Sequence, residues 1–433
     1  MRQEIKKGKT ILIDGPACVA LQFGSMRSFG ALIKAGDHFV VRWGKRIPFE
    51  AIEDSQIEIL LGNSASFSII DEDPIPQSWK DAANRILATD GSITVAVLGG
   101  VDSGKTSFCT YLVNIGLNGG RSVALVDGDL GQSDVGPPGT LGLSFVRRSV
   151  IDLVNLPLDD AVFIGNTSPY NVIDKIISGL LKLKCEAEKK GSNLIIVNTD
   201  GWVDGAEAIK YKYQLISSLK PKFTVVLQGD GSLNPLINSL MNVETHLLAV
   251  ETPKNVKKRD REMRRIIRET LYKRYLKDAK VRTIPLSWIK MYGNLEISGR
   301  VDQTLKRRLE EIIGNKLVYC ESSQSSIILV LKEGLLLSED EKLKIASEFN
   351  RPVRVICEGE ERGLLVSLEG SEGKFLGIGI INSIEYDRGI LKVYTNVDET
   401  VSRVCVGQIR LSEKGSEIEA HLKVVSKGSI GGT

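Results

Sequence analysis

The sequence predicts an α/β fold, with a central parallel sheet between two β-rich regions, and three observations predict it. At 433 residues, the chain exceeds what a single hydrophobic core usually holds, so two or three domains are expected. From residue 92 onward, short apolar runs alternate with helical stretches, which is typical of a parallel sheet covered by helices on both faces. On either side of that region, short apolar runs are separated by turn residues, which predicts antiparallel strands.

Residues 1–88 are predicted to form an N-terminal β-sandwich-like domain. Turn residues such as Gly24, Gly36 and Gly44 interrupt its short apolar runs. The acidic and proline-rich residues 71–77 form a predicted linker. The predicted strands are residues 10–13, 18–23, 28–33, 38–42 and 57–61.

Residues 89–287 are predicted to form the α/β domain, with a basic helix near residues 256–276. Residues 288–433 are predicted to form a C-terminal mostly-β domain that contains one helical piece at 339–348. The buried strands predicted for the α/β domain are residues 93–98, 123–126, 161–164, 194–197 and 223–227.

The bulk composition bears on location and partners. No stretch approaches the ~18 uninterrupted apolar residues of a membrane helix, and the first residues do not resemble a targeting segment, so we expect a cytoplasmic protein without a membrane partner. The formal net charge of +3 is small, so a nucleic-acid partner would require locally concentrated positive charge. The six cysteines include no C-x-x-C pair, which argues against zinc ribbons and a disulfide framework.

A phosphate-binding loop follows the first predicted strand of the α/β domain. Residues 99–106 match G-x-x-x-x-G-K-[ST] between an apolar strand and a helical stretch, a context that disfavours a chance glycine-rich turn. Backbone N–H groups and the helix N-terminus then face phosphate oxygens, Lys105 reaches the β/γ-phosphates, and the Thr106 hydroxyl holds Mg²⁺. The central sheet is therefore predicted to be of the P-loop NTPase type. The predicted nucleotide-binding residues are Gly99, Gly100, Val101, Asp102, Ser103, Gly104, Lys105, Thr106 and Ser107.

An acidic turn ends the next strand with Asp127 and Asp129. Right-handed βαβ connections bring the carboxyl ends of neighbouring parallel strands to one edge of the sheet, where ligands bind. Asp129 is the better candidate to hold Mg²⁺ or to accept the proton of an attacking hydroxyl group, because Asp127 is nearer the strand. The alternative is an ordinary D-G turn.

Polar segments after two further strands predict an acceptor site at the same edge. G-N-T-S-P occupies residues 165–169 and N-T-D-G-W occupies residues 198–202. We expect their hydroxyl groups, amides and indole to project over the edge. Trp202 either stacks on a base or ribose of a single strand or packs at a strand–helix corner.

The basic segment at residues 257–268 supplies the local positive charge. At about 100° per residue, its arginines fall on the face opposite its apolar residues. A solvated charged face is the ordinary explanation, but guanidinium groups on one side repel one another unless an anion lies there, and phosphoryl transfer requires cations that neutralise developing charge. The four arginines are Arg261, Arg264, Arg265 and Arg268.

Taken in order, the motifs resemble one family. The sequence resembles the polynucleotide 5′-hydroxyl kinases of RNA processing. The motifs that carry the resemblance are, in order, the Walker-type lysine, D-x-D-x-G-Q, T-S-P, T-x-G-W and R-x₄-R-x₃-R. That family includes the kinase subunit of the pre-mRNA 3′-end cleavage machinery and the kinases of pre-rRNA processing. The resemblance covers nearly the whole chain, and the compact length is similar to that of archaeal members.

The resemblance implies transfer of the γ-phosphate of ATP, or of GTP or another nucleoside triphosphate, with Mg²⁺, to the 5′-hydroxyl end of RNA. Single strands and duplex ends are implied acceptors, DNA is an alternative acceptor, and RNA-processing proteins are implied partners. The chain departs from the usual pattern at Asp260, where serine is frequent, and at Ser168, where threonine is frequent. The resemblance implies that Lys105 and Thr106 bind the phosphates and Mg²⁺, and that Asp129, beside Gln132, activates the hydroxyl group. It implies an acceptor clasp formed by Thr167, Ser168 and Pro169, with Thr199, Gly201 and Trp202 beside it. It also implies a lid that carries Arg259, Arg264 and Arg268.

Two other functions fit part of the sequence. A regulatory GTPase or ATPase would use the same loop, but the N-K-x-D motif that reads guanine does not occur, so guanine specificity is unsupported and an ATPase stays an alternative. A nucleotide-binding scaffold of an RNA-processing complex, without kinase activity, is the other alternative. The intact Lys105, Thr106 and Asp129 argue against such a loss of catalysis.

Overall fold

The computed structural model describes residues 1–322, 327–349 and 352–418. The chain forms two compact units, Met1–Leu271 and Tyr272–Thr433. The division into three domains at residues 88 and 287 stays a prediction. Within the described ranges, no helix is both long and apolar enough to cross a membrane.

Two antiparallel sheets are formed by residues 1–70, with strand orders β1-β8-β3-β6 and β5-β4-β7-β2-β9. The predicted single strand at 28–33 is wrong, because Phe29 and Gly30 adopt φ of 45° and 78° and turn the chain between two strands. The strands at both ends of residues 1–70 and the one after Lys45 were not predicted. The strands are β1 (Arg2–Ile5), β2 (Thr10–Asp14), β3 (Ala17–Phe23), β4 (Ser25–Ser28), β5 (Ala31–Lys34), β6 (His38–Val41), β7 (Arg46–Ala51), β8 (Ser55–Leu61) and β9 (Ser66–Ile70).

The end of the predicted β-rich region is a helix, α1 (Gln77–Leu87), which the sequence analysis did not predict. Its buried residues Trp79, Ala83 and Ile86 recur at helical spacing and were the available signal. The Trp79 indole N–H donates to the Glu251 carbonyl at 2.9 Å. This helix therefore packs into the first unit as part of its core.

Residues 93–251, all of them described, contain a mixed sheet of order β13-β12-β11-β14-β10-β15-β16. The prediction of a wholly parallel sheet is wrong, because β12 runs antiparallel to both β11 and β13. The chain after β11 returns through a loop bound to the buried Asp127 instead of a crossover helix. Since β13 is reversed twice relative to β11, its carboxyl end still reaches the same edge. The strands are β10 (Ile93–Gly99), β11 (Val123–Gly128), β12 (Thr140–Val146), β13 (Asp160–Phe163), β14 (Leu194–Thr199), β15 (Phe223–Gln228) and β16 (His246–Glu251).

Helices cover both faces of this sheet, as predicted. On β10, Val95 and Val97 share a buried cluster with Phe108, whereas Ala96 and Leu98 share another with residues of two helices on the opposite face. Alternate residues of a strand point to opposite faces, so a strand buried on both sides is apolar throughout. The helices between its strands are α2 (Lys105–Asn118), α3 (Ile173–Lys189), α4 (Ala206–Leu219) and α5 (Asn234–Leu240), and α6 (Arg261–Tyr275) follows the last strand.

The second unit is rich in strands in its described residues, with sheet orders β17-β24-β23-β22-β25-β18 and β19-β20-β21. The helix predicted at 339–348 is confirmed as α8, which begins with a capping box between Ser338 and Glu341. Helix α7 was not predicted, although Leu305, Leu309 and Ile313 form its buried face. The elements are β17 (Lys280–Pro285), β18 (Lys290–Gly293), α7 (Gln303–Ile313), β19 (Leu317–Ser322), β20 (Ile327–Leu331), α8 (Glu339–Glu348), β21 (Val353–Cys357), β22 (Leu364–Glu369), β23 (Phe375–Glu385), β24 (Ile390–Thr395) and β25 (Arg403–Arg410).

A buried ion-pair cluster connects the N-terminal sheets to the loop after β11. The Arg42 guanidinium donates to Asp152 at 2.9 Å and to Asp134 at 2.8 Å, and Lys45 donates to Asp134 at 2.8 Å. Burial opposes ionisation of Asp134, but Lys45 and Arg42 hold the pKa of this carboxyl group well below its usual range. The cluster thus fixes the loop that follows Asp129 against residues 42–45.

Replacing Arg42 with methionine should lower the free energy of unfolding at neutral pH by about 3–5 kcal/mol, because two buried carboxylates lose a partner. Urea-induced unfolding measures this change. The matched control is Lys6→Ala, whose exposed pair with Asp54 is screened by solvent and should change the free energy of unfolding far less. Equal effects of the two substitutions would show that the cluster contributes no more than a surface ion pair.

Candidate nucleotide and acceptor site

The predicted phosphate-binding loop joins β10 to α2 and turns sharply before the helix. Gly104 has φ of 97°, which L residues with a Cβ rarely adopt, and a Cβ there would lie 3.2 Å from Pro253. The buried Lys105 donates its Nζ to the carbonyls of Gly99 at 2.9 Å and Gly100 at 2.7 Å. Burial lowers the pKa of Lys105 while the nearby Asp129 raises it. A cation is thereby positioned at the loop, beside a helix N-terminus that favours anions.

A pocket opens beside the loop and extends toward the N-terminal sheets. Residues from β2, β7, α1 and the segment after β16 line it together with the loop. Of the lining residues outside that loop, the sequence predicted only Gln132 and Arg259 as site residues. They are far apart in the sequence, so no local pattern indicated that they meet. Outside the predicted loop, its lining comprises Leu12, Phe29, Lys45, Arg46, Pro48, Pro74, Trp79, Gln132, Pro253, Asn255, Val256, Lys257 and Arg259.

The acidic turn after β11 gives its two aspartates different surroundings. Asp127 is fully buried and accepts the N–H groups of Asp134 at 2.7 Å and Val135 at 3.1 Å, and burial raises its pKa to about 7. Asp129 is half-buried, and its Oδ1 accepts the N–H groups of Gly131 at 3.1 Å and Gln132 at 3.0 Å. Asp127 therefore folds the loop, and Asp129 lies at the edge of the sheet.

The electrostatics of Asp129 are set by its burial and by two neighbours. Burial raises the pKa of Asp129, Lys105 lowers it, and the carboxylate of Asp200 raises it. The net effect is a pKa above the usual value. A carboxyl group with such a pKa is a stronger base than an exposed aspartate when it is ionised.

The residues at the site are compatible with Mg²⁺ shared with a triphosphate. In the described ranges, no group of three or more His, Cys, Asp or Glu side chains is arranged to hold a metal ion. Mg²⁺ at phosphoryl-transfer sites commonly takes one or two protein oxygens, with phosphate and water completing its shell. The Thr106 hydroxyl at the start of α2 and the Asp129 carboxylate are oxygen ligands of that kind.

The lid arginines meet the phosphate-binding loop at Asp102. The Arg259 backbone N–H and the Arg264 Nη2 both donate to Asp102 Oδ2, at 2.9 Å and 3.1 Å. Arg259 also donates from Nη1 to Gln132 Oε1 at 2.7 Å. Asp102 thus links the loop to the lid, and Arg259 links the lid to the acidic turn.

The lid helix differs in part from its prediction. It begins at Arg261, so Arg259 precedes it, and Arg268 lies half-buried one turn beyond Arg264. The helix contains the four predicted arginines, of which Arg265 pairs with Glu269 on the helix itself at 3.1 Å. The opposite apolar face packs near the turn of residues 42–46, where a Cβ on Gly44 would lie 3.0 Å from Ile267.

The predicted clasp lies next to the acidic turn. A Cβ on Gly131 would lie 3.0 Å from the Thr167 carbonyl oxygen. Ser168 is exposed, and Pro169 is buried. The structure therefore brings the clasp close to Asp129.

The segment after β14 contacts the phosphate-binding loop, since a Cβ on Gly201 would lie 2.8 Å from Val101. The expectation that its hydroxyl projects over the edge is wrong, because Thr199 is buried and donates to the Val97 carbonyl at 2.8 Å. Trp202 is half-buried and stacks on Tyr211, with 5.8 Å between ring centroids and 30° between ring planes. One face of the Trp202 indole therefore packs against the protein, which agrees with the interpretation of Trp202 as a packing residue.

A buried network that the sequence analysis did not predict holds this segment. Asp200 accepts the Trp202 backbone N–H at 3.0 Å, the Tyr211 hydroxyl at 2.7 Å and the Lys212 ammonium at 2.8 Å. Lys212 is fully buried. The i+11 and i+12 spacing from Asp200 carries no recognisable motif, so only the packing of α4 against the sheet reveals the network.

Comparison with known proteins shows which family the chain resembles. Residues 99–278 match the family model described as mRNA cleavage and polyadenylation factor CLP1 P-loop. The chain is 27% identical over 350 residues to a polyribonucleotide 5′-hydroxyl-kinase of Methanocaldococcus jannaschii, covering 79% of this chain and 94% of that protein. The chain is similar to the Clp1 family of polynucleotide 5′-hydroxyl kinases. A second relative with the same description, from Pyrococcus horikoshii, is 26% identical over 346 residues and covers 79% and 93% of the two chains.

Two further proteins are similar to the chain. Over 197 residues the chain is 30% identical to the polyribonucleotide 5′-hydroxyl-kinase Clp1 of Rattus norvegicus, covering 41% of this chain and 45% of that protein. The fold is similar to that of the solved complex of Clp1p with Pcf11p, with a TM-score of 0.65, 12% identity, and coverage of 95% and 97% of the two chains. The predicted P-loop α/β core is thus confirmed, and nucleotide binding is a property of this kinase fold.

Proposed function

We propose that the chain is a polynucleotide 5′-hydroxyl kinase that transfers the γ-phosphate of ATP to the 5′-hydroxyl end of RNA. One arrangement carries the proposal: Asp129 lies within the electrostatic reach of Lys105, and its turn contacts the clasp at Thr167. A base, a phosphate-binding cation and a polar acceptor segment are thereby adjacent. The names of the archaeal relatives, which are polyribonucleotide 5′-hydroxyl kinases, support the same reaction.

The proposed roles follow from where the groups lie. The Lys105 ammonium and the amides of residues 99–107 bind the triphosphate. Thr106 and Asp129 would hold Mg²⁺, which would supply further neutralisation of phosphate charge. Asp129 accepts the proton of the 5′-hydroxyl group as the new O–P bond forms and the bond to the ADP oxygen breaks. Gln132 is positioned by Arg259 beside this base.

Several finer features belong to the same proposal. ATP is the proposed donor, with GTP and other triphosphates as alternatives, and a solved Clp1p–Pcf11p complex that addresses loss of ATP in a point mutant supports ATP. DNA and duplex ends are alternative acceptors. Because Clp1p is solved with Pcf11p, we also propose RNA-processing protein partners. The cytoplasmic location stays a prediction.

Incubation with γ-labelled ATP, Mg²⁺ and an oligoribonucleotide bearing a 5′-hydroxyl group tests the proposal. Label at the 5′ end is the expected result, and an oligonucleotide that already carries a 5′-phosphate should remain unlabelled. Release of free phosphate without labelling would instead support the ATPase, and bound ATP without turnover would support the scaffold.

Replacing Lys105 with alanine should lower the transfer rate by on the order of 10²–10³-fold, because the loop loses the cation that meets the charged phosphates. The exposed Lys210 on α4 offers the control Lys210→Ala, which should retain wild-type transfer. Thermal unfolding of both variants separates lost catalysis from lost folding. Transfer by Lys105→Ala at the control rate would remove Lys105 from the mechanism.

A further inference from the structure

We propose that Tyr170 is a stacking platform for a nucleobase within the first two nucleotides of the acceptor strand. The inference rests on the proposed function, because it deepens the acceptor side of the same site. Neither the predicted site nor the motifs of the family included this residue.

Tyr170 is the accessible ring of an aromatic cluster. Its side chain is 57% exposed, and its ring lies edge-on to Trp202, with 6.5 Å between centroids and 69° between planes. Trp202 is half-buried and stacks on Tyr211, which is buried. Within this cluster, Tyr170 therefore offers the largest aromatic surface to a ligand, while the other two rings support it from the protein side.

Tyr170 directly follows the clasp and lies in a turn that leaves its side chain exposed. A reverse turn is closed by the Val172 N–H, which donates to the Pro169 carbonyl at 3.1 Å, and Asn171 adopts φ of 64°, which asparagine tolerates better than most residues. Pro169 before the turn and Val172 after it are both buried. Both ends of the turn are thus anchored while its tip is exposed, so little ordering is required before a ligand binds.

The position of Tyr170 relative to Asp129 suits a strand whose end is being phosphorylated. The turn of Asp129 contacts the carbonyl of Thr167, and Tyr170 is three residues further along, at most about 10 Å between α-carbons. A 5′-hydroxyl group at Asp129 therefore leaves the first bases within reach of the ring. Stacking on an aromatic side chain accepts every base, since each has a π-face, so the platform would bind single strands without reading their sequence.

The test measures binding of a single-stranded 5′-hydroxyl oligoribonucleotide by fluorescence anisotropy and its transfer by labelling. Tyr170→Ala should raise Kd and KM for the oligonucleotide about 5- to 150-fold, the range expected for one base–aromatic stack, and should leave KM for ATP unchanged. Tyr170→Phe should retain wild-type values, because it keeps the ring. The matched control is Tyr213→Ala, which removes another exposed tyrosine on α4 and should change neither constant.

A second substrate separates stacking from a merely structural role. With oligonucleotides that are abasic at the first two positions, wild-type and Tyr170→Ala should bind equally, because the stacking partner is missing. A defect of Tyr170→Ala that persists on abasic strands, or no defect on intact ones, would overturn the inference. Wild-type protein that binds the oligonucleotide through Tyr170 but transfers no phosphate would instead contradict the proposed function while supporting the platform.

Discussion

Replacing Arg264 with alanine should slow phosphoryl transfer by about 10³-fold or more, because an arginine that meets charge developing on the transferred phosphoryl group is worth 10³- to 10⁵-fold in related reactions. Its Nη2 lies 3.1 Å from Asp102 in the phosphate-binding loop. Among the described residues, its buried Nε has no hydrogen-bond partner. A buried guanidinium N–H without a hydrogen bond costs free energy. We therefore expect a phosphate oxygen of the bound nucleotide to accept this hydrogen bond.

Single-turnover labelling with saturating ATP and oligonucleotide isolates the chemical step in the Arg264 variant. Arg264→Lys should recover only part of the rate, since lysine keeps the charge and loses the planar fork. Arg261, on the same helix and exposed, supplies the control Arg261→Ala, which should transfer at the wild-type rate. An Arg264→Ala variant with a higher KM for ATP and an unchanged single-turnover rate would show that Arg264 only binds nucleotide.

Replacing Asp129 with asparagine should slow transfer by about 10²- to 10⁴-fold, the usual contribution of a general base. The amide oxygen of asparagine can still accept the N–H groups of Gly131 and Gln132, so the turn should keep its shape. ATP binding should fall much less than transfer. The exposed Asp204 provides the control Asp204→Asn, and transfer by Asp129→Asn at the control rate would assign the base to another residue.

The same substitution has an expected signature in the pH dependence. Burial raises the pKa of Asp129 above its usual value, and a base acts only when it is ionised. Wild-type transfer should therefore fall when acidification protonates Asp129. The residual activity of Asp129→Asn should lack this acidic limb.

The Asp102 carboxylate is part of a hydrogen-bond network that connects Arg264 to the turn of Asp129. It accepts hydrogen bonds from Arg259 and Arg264, and Arg259 in turn contacts Gln132 next to Asp129. The lid is thus bonded to the loop on which the triphosphate lies and to the turn that carries the base. Effects of Arg264 and Asp129 substitutions are therefore expected to be non-additive, since residues in one hydrogen-bond network couple.

Features defined by neighbouring residues could be predicted from the sequence. The phosphate-binding loop needs only consecutive glycines, a lysine and a strand–helix context. Helix α8 was predicted with its observed bounds because its start is encoded within four residues, from Ser338 to Glu341. Asp129 was chosen over Asp127 from its distance to the strand, and the burial of Asp127 agrees with that choice.

Features defined by distant residues could not be predicted. The Asp102–Arg264 pair spans 162 positions, and the antiparallel return of β12 depends on the loop bound to Asp127. Thr199 has the hydroxyl group that an acceptor site would use, but this group donates a hydrogen bond to the Val97 carbonyl on the neighbouring strand. A side chain's partners are fixed by which strands are adjacent, and adjacency is absent from a linear pattern.

By itself, therefore, the sequence determined the phosphate-binding loop, the acidic turn, the order of the motifs and the family that they indicate. Only the tertiary structure decided that the N-terminal sheets and α1 line the nucleotide pocket, that Asp102 receives the lid arginines, and that Tyr170 is the exposed ring beside Trp202. The physical reason is that backbone conformation follows from short-range sterics and hydrogen bonds, whereas pockets and ion pairs arise when long-range packing brings separate segments together.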